Sequence, residues 1–398
     1  MAKPKLALIP STVGGSVYSV LPSNGDGDFD FSRASAATRI NAQGLIETVA
    51  VGDNRLNYPL LDGRVQTCPH LLLEGQRTNL ITYSESLSLT PIKNGTFTDN
   101  FAISPDGTQN ATKLTATDTD PFFYQSVSFS ALSYTASIYV KGIGSSIGKD
   151  FRIVLGAQST NPKLIIPSEW TRFEYTVTMP SGSYNAGLEI ADPAVIGDEV
   201  LVWGWQVEQG SYPTSYIVSN SGSATTRLAE VCDGSGNAST FNDSEGVLMA
   251  QIGNISEDNT TTLSWAISDG SVSNAVSLYY FGVSGLYYDI FNSDGIRSGN
   301  APMTKLQQAN NNKIALKYKS QDISLFVNGF ELSTNNGTLS LNGLSEVSFD
   351  YGNGGFPFYG KTKQLQYFDS ALTDSELETL TSWMSFSDMA IDLNYTIQ

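Results

Sequence analysis

The chain has one histidine, two cysteines and 39 Asp/Glu, and their spacing limits the chemistry open to it. A Ser-His-Asp relay would have to use His70, which follows Pro69 in a stretch that reads as a linker. No G-x-S-x-G elbow leads into a helix. Structural zinc needs four ligands, and Cys68, Cys232 and His70 cannot supply them. The two cysteines lie far apart and read as reduced, part-buried thiols. Asn24, Asp26, Asp28 and Asp30 are spaced like calcium-loop ligands, but Phe29 and Phe31 stand where that loop needs glycine, and no glutamate closes it. A solvated strand face is expected there. A glucanase pattern E-x-D-x-x-E comes nearest at Glu189-Ile190-Ala191-Asp192, with Ala191 where an aspartate is needed. Carboxylates paired from different strands stay open. The Gly-rich run Asp350 to Gly355 lacks a lysine and a following helix, so it reads as a loop and not a phosphate cradle. No catalytic residue, no metal and no cofactor is expected.

The elements that would position a site are strands. The 398 residues carry 36 Gly and 15 Pro, and Tyr, Phe, Thr and Val recur between Gly/Asn/Asp/Ser clusters. That composition predicts an all-β chain of two or three domains. No apolar run reaches the roughly 20 residues of a membrane span, and the run from Leu6 to Pro10 is too short for a signal peptide. Membrane insertion is not expected. Net charge is −17, yet residues 1–90 hold seven Lys/Arg against eight Asp/Glu, so nearly all of the acid lies beyond them. An acidic body repels nucleic acid and anionic membrane. Residues 1–90 are therefore read as a docking head, with Arg33, Arg39 and Arg77 as the candidates that pair with a partner surface.

Within the head, Ala37 to Ile40 and Leu45 to Val49 flank Asn41-Ala42-Gln43-Gly44, which is hairpin chemistry. Residues 91–220 contain six or more alternating strands, enough for an antiparallel sandwich. Among them, Leu201, Trp203, Trp205 and Val207 alternate with Gly204, Gln206 and Glu208, and both tryptophans are expected in the core. Residues 221–398 form the last module. There Ile314, Leu316 and Tyr318 are expected inward and Lys313, Ala315, Lys317 and Lys319 outward. Asn328-Gly329 marks a hairpin. Thr373 to Glu376 is a capping box opening one short helix with Leu377, Leu380, Trp383 and Met384 buried.

Three groups of residues carry a resemblance. The segment from Trp203 to Ile217, followed by Ser221 to Arg227, resembles the closing strand of a jelly roll in bacteriophage virion proteins. Phe31 to Glu47 and Leu71 to Leu80 are similar to the head segment of phage tail and fibre-like proteins. The order of Ala315 to Tyr318, Leu325 to Leu332 and Leu365 to Leu380 resembles a concanavalin A-like (laminin G-like) sandwich. The resemblance implies an N-terminal β-hairpin attachment segment (1–90), a carbohydrate-binding-module-like jelly roll (91–220) and a concanavalin A-like sandwich (221–398). It implies a virion structural protein of tail-fibre, tail-associated or capsid-fibre (decoration) type. Such a protein is assembled in the host cytoplasm, is a homotrimer among other virion proteins (capsid, portal-proximal or tail), and contacts host-surface glycan. A ligand-free spacer and a polysaccharide depolymerase are the alternatives.

Overall fold

Asn328 and Gly329 both lie at positive φ, 54° and 86°, and between them Ile323–Val327 turns back onto Phe330–Asn335. Both residues tolerate the left-handed region, which is why Asn-Gly closes two-residue hairpins. In the head, the Gly44 N–H donates to the Asn41 carbonyl at 2.9 Å, and Ala37–Ile40 pairs with Ile46–Val49 as predicted. The computed structural model describes residues 2–385 apart from 11, 14–15, 62–63, 67, 157–160, 191–193 and 256–260, together with 388–389 and 392–393. Among the described residues the regular elements are nearly all β-strands, with two α-helices.

Two compact units are present. One is built from residues 1–34, 50–75 and 229–398, the other from 35–49 and 76–228. The boundaries expected at residues 90 and 220 are not where the units divide. The reason lies in the pairing. Leu6–Leu8 and His70–Leu73 add to Gly360–Phe368, whereas Arg77–Asn79 pairs with Thr225–Arg227. Short strands cannot bury their faces alone: the first two join a sheet formed by later sequence, and the third makes a two-stranded sheet with a distant partner.

The first unit is a sandwich. One sheet runs Phe330–Asn335, Ile323–Val327, Asn312–Lys319, Glu245–Asn254, Gly360–Phe368, His70–Leu73, Leu56–Asn57, with Leu6–Leu8 also on Gly360–Phe368. The other runs Gly295–Ala301, Gly285–Asn292, Ala275–Phe281, Thr262–Ser268, Glu346–Ser348. Leu248, Ile252, Ile314, Leu316, Tyr318 and Leu365 from the first meet Leu263, Trp265, Val276, Leu278, Leu286 and Ile290 from the second. Ile314, Leu316 and Tyr318 thus face inward as expected. Of the opposite parity, Lys319 faces water as expected and Lys313 is half-buried, but Ala315 and Lys317 are buried. Ala315 packs with Val247, Met249, Phe326 and Phe368 under Leu377 of the helix Asp374–Thr381. Lys317 is buried there too, its Nζ 2.7 Å from Asp322 and 2.8 Å from Asp374. The helix keeps its capping box but stops at Thr381, so Trp383 and Met384 lie past its end and Met384 is fully exposed. A second helix, Lys305–Ala309, was not expected; its capping box Thr304 to Gln307 was the available signal.

The second unit stacks two five-stranded sheets. These are Ile92–Asn94, Phe122–Phe129, Gly182–Ile190, Asp150–Leu155, Lys163–Ile165 and Thr96–Ala102, Ala111–Thr115, Glu199–Gln209, Ser133–Ile143, Thr171–Thr178. Tyr134, Ala136, Ile138 and Val140 fill its core, as alternation predicted. Glu199–Gln209 departs from the predicted parity. Tyr139 pairs with Trp203 and Ser137 with Gln206, so Gly204 and Trp205 together oppose Ile138 in a β-bulge. Gly204 sits at φ 67°, a region that admits glycine without strain. The bulge flips the face. Val200, Val202, Trp205 and Val207 point into the sandwich. Trp203 packs on the outer side against Ile46, Ala111 and Tyr216. Both tryptophans are buried, on opposite faces of one strand.

Candidate functional site

The strands Ala275–Phe281 and Gly285–Asn292 pair with Tyr279 opposite Tyr287 and Ser277 opposite Asp289. Val276, Leu278, Tyr280, Leu286, Tyr288 and Ile290 point into the core. The opposite parity, Tyr279, Phe281, Tyr287, Asp289 and Phe291, therefore stands on the outer face. A loop from Phe349 to Phe358 lies across this face. The Ser277 hydroxyl donates to the Tyr351 carbonyl at 3.1 Å, and the Ser264 N–H donates to the Phe356 carbonyl at 3.1 Å. Asp350 Oδ1 accepts the Gly352, Asn353 and Gly354 amides at 2.6, 3.1 and 3.2 Å, which closes the turn predicted as a loop. Phe356 is held at φ 50°.

Together Thr262, Tyr279, Phe281, Tyr287, Tyr351 and Phe356 line a cleft of about 310 Å³. Tyr279 and Tyr287 are nearly parallel, their centroids 5.6 Å apart at 18°. Tyr351 stands at 81° to Tyr279, Phe281 at 85° to Tyr287, and Phe356 at 89° to Tyr351. Phe281 and Phe356 are about half exposed, 48% and 55%. Large aromatics left open to water on one face are the unusual observation, since most are buried. Beside the rings, Asp289 Oδ2 accepts the Tyr279 hydroxyl at 2.9 Å and the Tyr351 hydroxyl at 2.5 Å, and Oδ1 accepts Ser298 at 2.5 Å. Burial first, and then the Asp289 carboxylate, push both phenols well above the usual tyrosine range. The arrangement offers apolar ring surface, hydroxyl lone pairs and one fixed negative charge.

The arginines expected to dock elsewhere have partners within their own units. Arg33 is buried; its Nη1 donates to Glu230 Oε1 at 2.8 Å and to the Asp53 carbonyl at 2.9 Å, and Nη2 donates to the Ala50 carbonyl at 2.6 Å. Arg55 joins the same cluster, donating to Glu74 at 2.7 Å and to Glu230 at 2.8 Å. Arg39 pairs across its hairpin with Glu47 at 2.6 Å and keeps a partly exposed side chain. Arg77 lies 3.6 Å from Glu208 with its guanidinium 5.2 Å from the Tyr212 ring centre. Glu208 itself is buried and accepts the Thr214 N–H at 3.1 Å and hydroxyl at 2.8 Å. Asn79 donates to the Trp205 and Ile217 carbonyls at 3.2 and 2.9 Å. The polar residues of the Trp203–Ile217 segment thus fold the chain back on itself.

His70 is not in a linker: it opens the buried strand His70–Leu73, within 3.4 Å of Asn57. Burial, with Lys361, Lys363 and Arg55 nearby, holds its pKa well below the ordinary value. Cys68 is exposed and Cys232 is buried. Asn24 and Asp26 bond each other in an exposed turn, while Asp28 accepts the Ser19 N–H at 2.9 Å. Among the described residues no group of three or more His, Cys, Asp or Glu could hold a metal ion. Glu189 lies near Arg152 (3.5 Å) and the Tyr124 hydroxyl (3.4 Å); Ala191 and Asp192 fall outside the described residues. Sequence reading missed the aromatic cleft. Its signal was aromatic residues on both parities of Tyr279-Tyr280-Phe281 and Tyr287-Tyr288-Asp289-Ile290-Phe291.

No protein-family model matches the chain, and no curated protein matches it. Solved structures similar to it include the CBM40 of Ruminococcus gnavus IT-sialidase bound to α2,3-sialyllactose. That likeness is 20% identical over 37% of this chain and 86% of that one, at a TM-score of 0.31. Domain 4 of AbnA, a GH43 extracellular arabinanase from Geobacillus stearothermophilus in complex with arabinotriose, is 14% identical over 40% and 77%, at 0.32. Domains LG4-5 of the mouse laminin α1 chain are 11% identical over 65% and 89%, at 0.25.

Proposed function

We propose that the protein is a non-enzymatic binding protein whose aromatic cleft takes a saccharide. It would serve in a bacteriophage particle as a tail-fibre, tail-associated or capsid-fibre component. The observation that carries the binding reading is the outer face of Tyr279, Phe281, Tyr287, Tyr351 and Phe356 with Asp289 at its edge. Sugar C–H faces stack on aromatic rings, and sugar hydroxyls find acceptors in phenol oxygens. Binding is favoured over hydrolysis because none of the six lining residues is acidic. Glycoside cleavage needs two carboxyl groups flanking the bond, and both Asp289 oxygens already accept hydroxyls.

The virion reading is supported by the sequence resemblance of the Phe31–Glu47, Leu71–Leu80 and Trp203–Ile217 segments. Docking through the head is consistent with the partly exposed Arg39 hairpin. A glycan array probed with the full chain and with Tyr287→Ala tests the binding reading. Tyr287-dependent binding is the expected result, and a blank array at high protein concentration overturns it. Antibody labelling of intact particles, with an Arg39→Glu variant scored for incorporation, tests the virion role separately.

A further inference from the structure

The angles between the rings say more about the ligand than their number does. A pyranose chair stacks one C–H face on a single ring, and the half-exposed Phe281 or Phe356 can take it. Walls set at right angles suit a rounded group as well. Here Tyr351, Phe281 and Phe356 stand at 81–89° to their neighbours, so the rings form walls. At about 310 Å³ the space is at the small end for ligand clefts, suited to one compact group. Aromatic faces carry negative potential, and rings converging from several directions attract a rounded cation.

Three further observations give the sign of the charge. The Tyr279 and Tyr351 hydroxyls both donate to Asp289, which pushes electron density into their rings and fixes a full negative charge beside the cleft. Among the described residues, the lysines and arginines that lie over rings do so at Phe31, Tyr212, Phe101, Tyr139 and Trp383, and none covers a cleft ring. Residues 1–34, 50–75 and 229–398, which form this unit, hold 12 Lys/Arg against 25 Asp/Glu, a net −13. Such a field attracts cations and repels carboxylated sugars.

We propose that the cleft bounded by Tyr279, Phe281, Tyr287, Tyr351 and Phe356 binds an alkylammonium group of the choline type, carried as a substituent on a surface saccharide. The assignment rests on the saccharide reading for its setting, not for the ammonium itself. Choline and its uncharged isostere 3,3-dimethylbutan-1-ol, each titrated into the full chain by calorimetry, separate charge from shape. Choline is expected to bind at least roughly tenfold more tightly. Asp289→Asn, and independently Tyr351→Phe, which keeps the ring, should each shrink that preference, while Tyr287→Ala should abolish binding of both compounds. Equal affinity for the two compounds overturns the proposal. Neutral saccharides binding through Tyr287 without choline binding also overturns it and leaves the saccharide reading standing. Choline binding with a blank glycan array does the reverse.

Discussion

Arg55 and Glu230, 175 residues apart in sequence, meet through two parallel hydrogen bonds with both side chains fully buried, Nε donating to Oε1 at 2.8 Å and Nη2 to Oε2. Glu230 also takes Arg33, and Arg55 also takes Glu74, so two positive and two negative groups balance. Removing one member strands an uncompensated charge. Glu230→Ala is expected to destabilise the protein by about 3–5 kcal/mol, read as a lower urea midpoint. A loss below about 1 kcal/mol would show that the cluster contributes little.

His70 makes the acid side of the stability profile readable, because it is the single histidine. Its folded pKa is held well below 6.5 by burial and neighbouring cations. The unfolded chain therefore binds a proton that the folded chain refuses. The stabilisation is present above pH 6.5 and is lost as pH falls towards the folded value, with a limiting slope of about 1.4 kcal/mol per pH unit. Measured from pH 7.5 to 5, wild-type stability should fall more steeply than that of His70→Gln. Parallel profiles would remove His70 as the cause.

Gly204 holds the bulge that separates the two tryptophans. Its φ of 67° disfavours any side chain, and an added Cβ would meet the Tyr139 ring at 3.3 Å. Gly204→Ala should cost about 1–2 kcal/mol and alter tryptophan fluorescence, since Trp203 and Trp205 flank the site. An unchanged melting temperature and spectrum would show that the bulge does not need glycine.

Cleft substitutions should separate binding from folding. Phe281 is about half exposed, so Phe281→Ala should change stability by less than about 1 kcal/mol. The same change removes a wall and should weaken ligand binding severalfold or more. Equal ligand affinity in Phe281→Ala and wild type would place the ligand elsewhere.

Local chemistry was legible in the sequence, and long-range chemistry was not. Asn328-Gly329, the Asn41–Gly44 turn, the capping box at Thr373 and the alternation of Tyr134 to Val140 all depend on neighbours a few residues away. The parity of Trp203 was misread because one bulge residue inverts every later face. Arg33 looked like a surface docking group because its partner Glu230 lies 197 residues further on. The cleft was hidden differently: Tyr279 and Tyr287 alternate as strand residues do, and the Phe349–Phe358 loop that completes the site comes some sixty residues later in the chain.

The course of the backbone through the two units has a practical corollary. It passes from one to the other four times, after residues 34, 49, 75 and 228. A protease that nicks any one of these passages leaves the halves tethered by the other three. No contiguous fragment of the gene encodes either half alone: residues 35–228 carry the second unit with 50–75 of the first inside it, a clone of residues 91–220 would lack the Ala37–Val49 hairpin, and one of 221–398 would lack Arg33, Arg55 and Glu74.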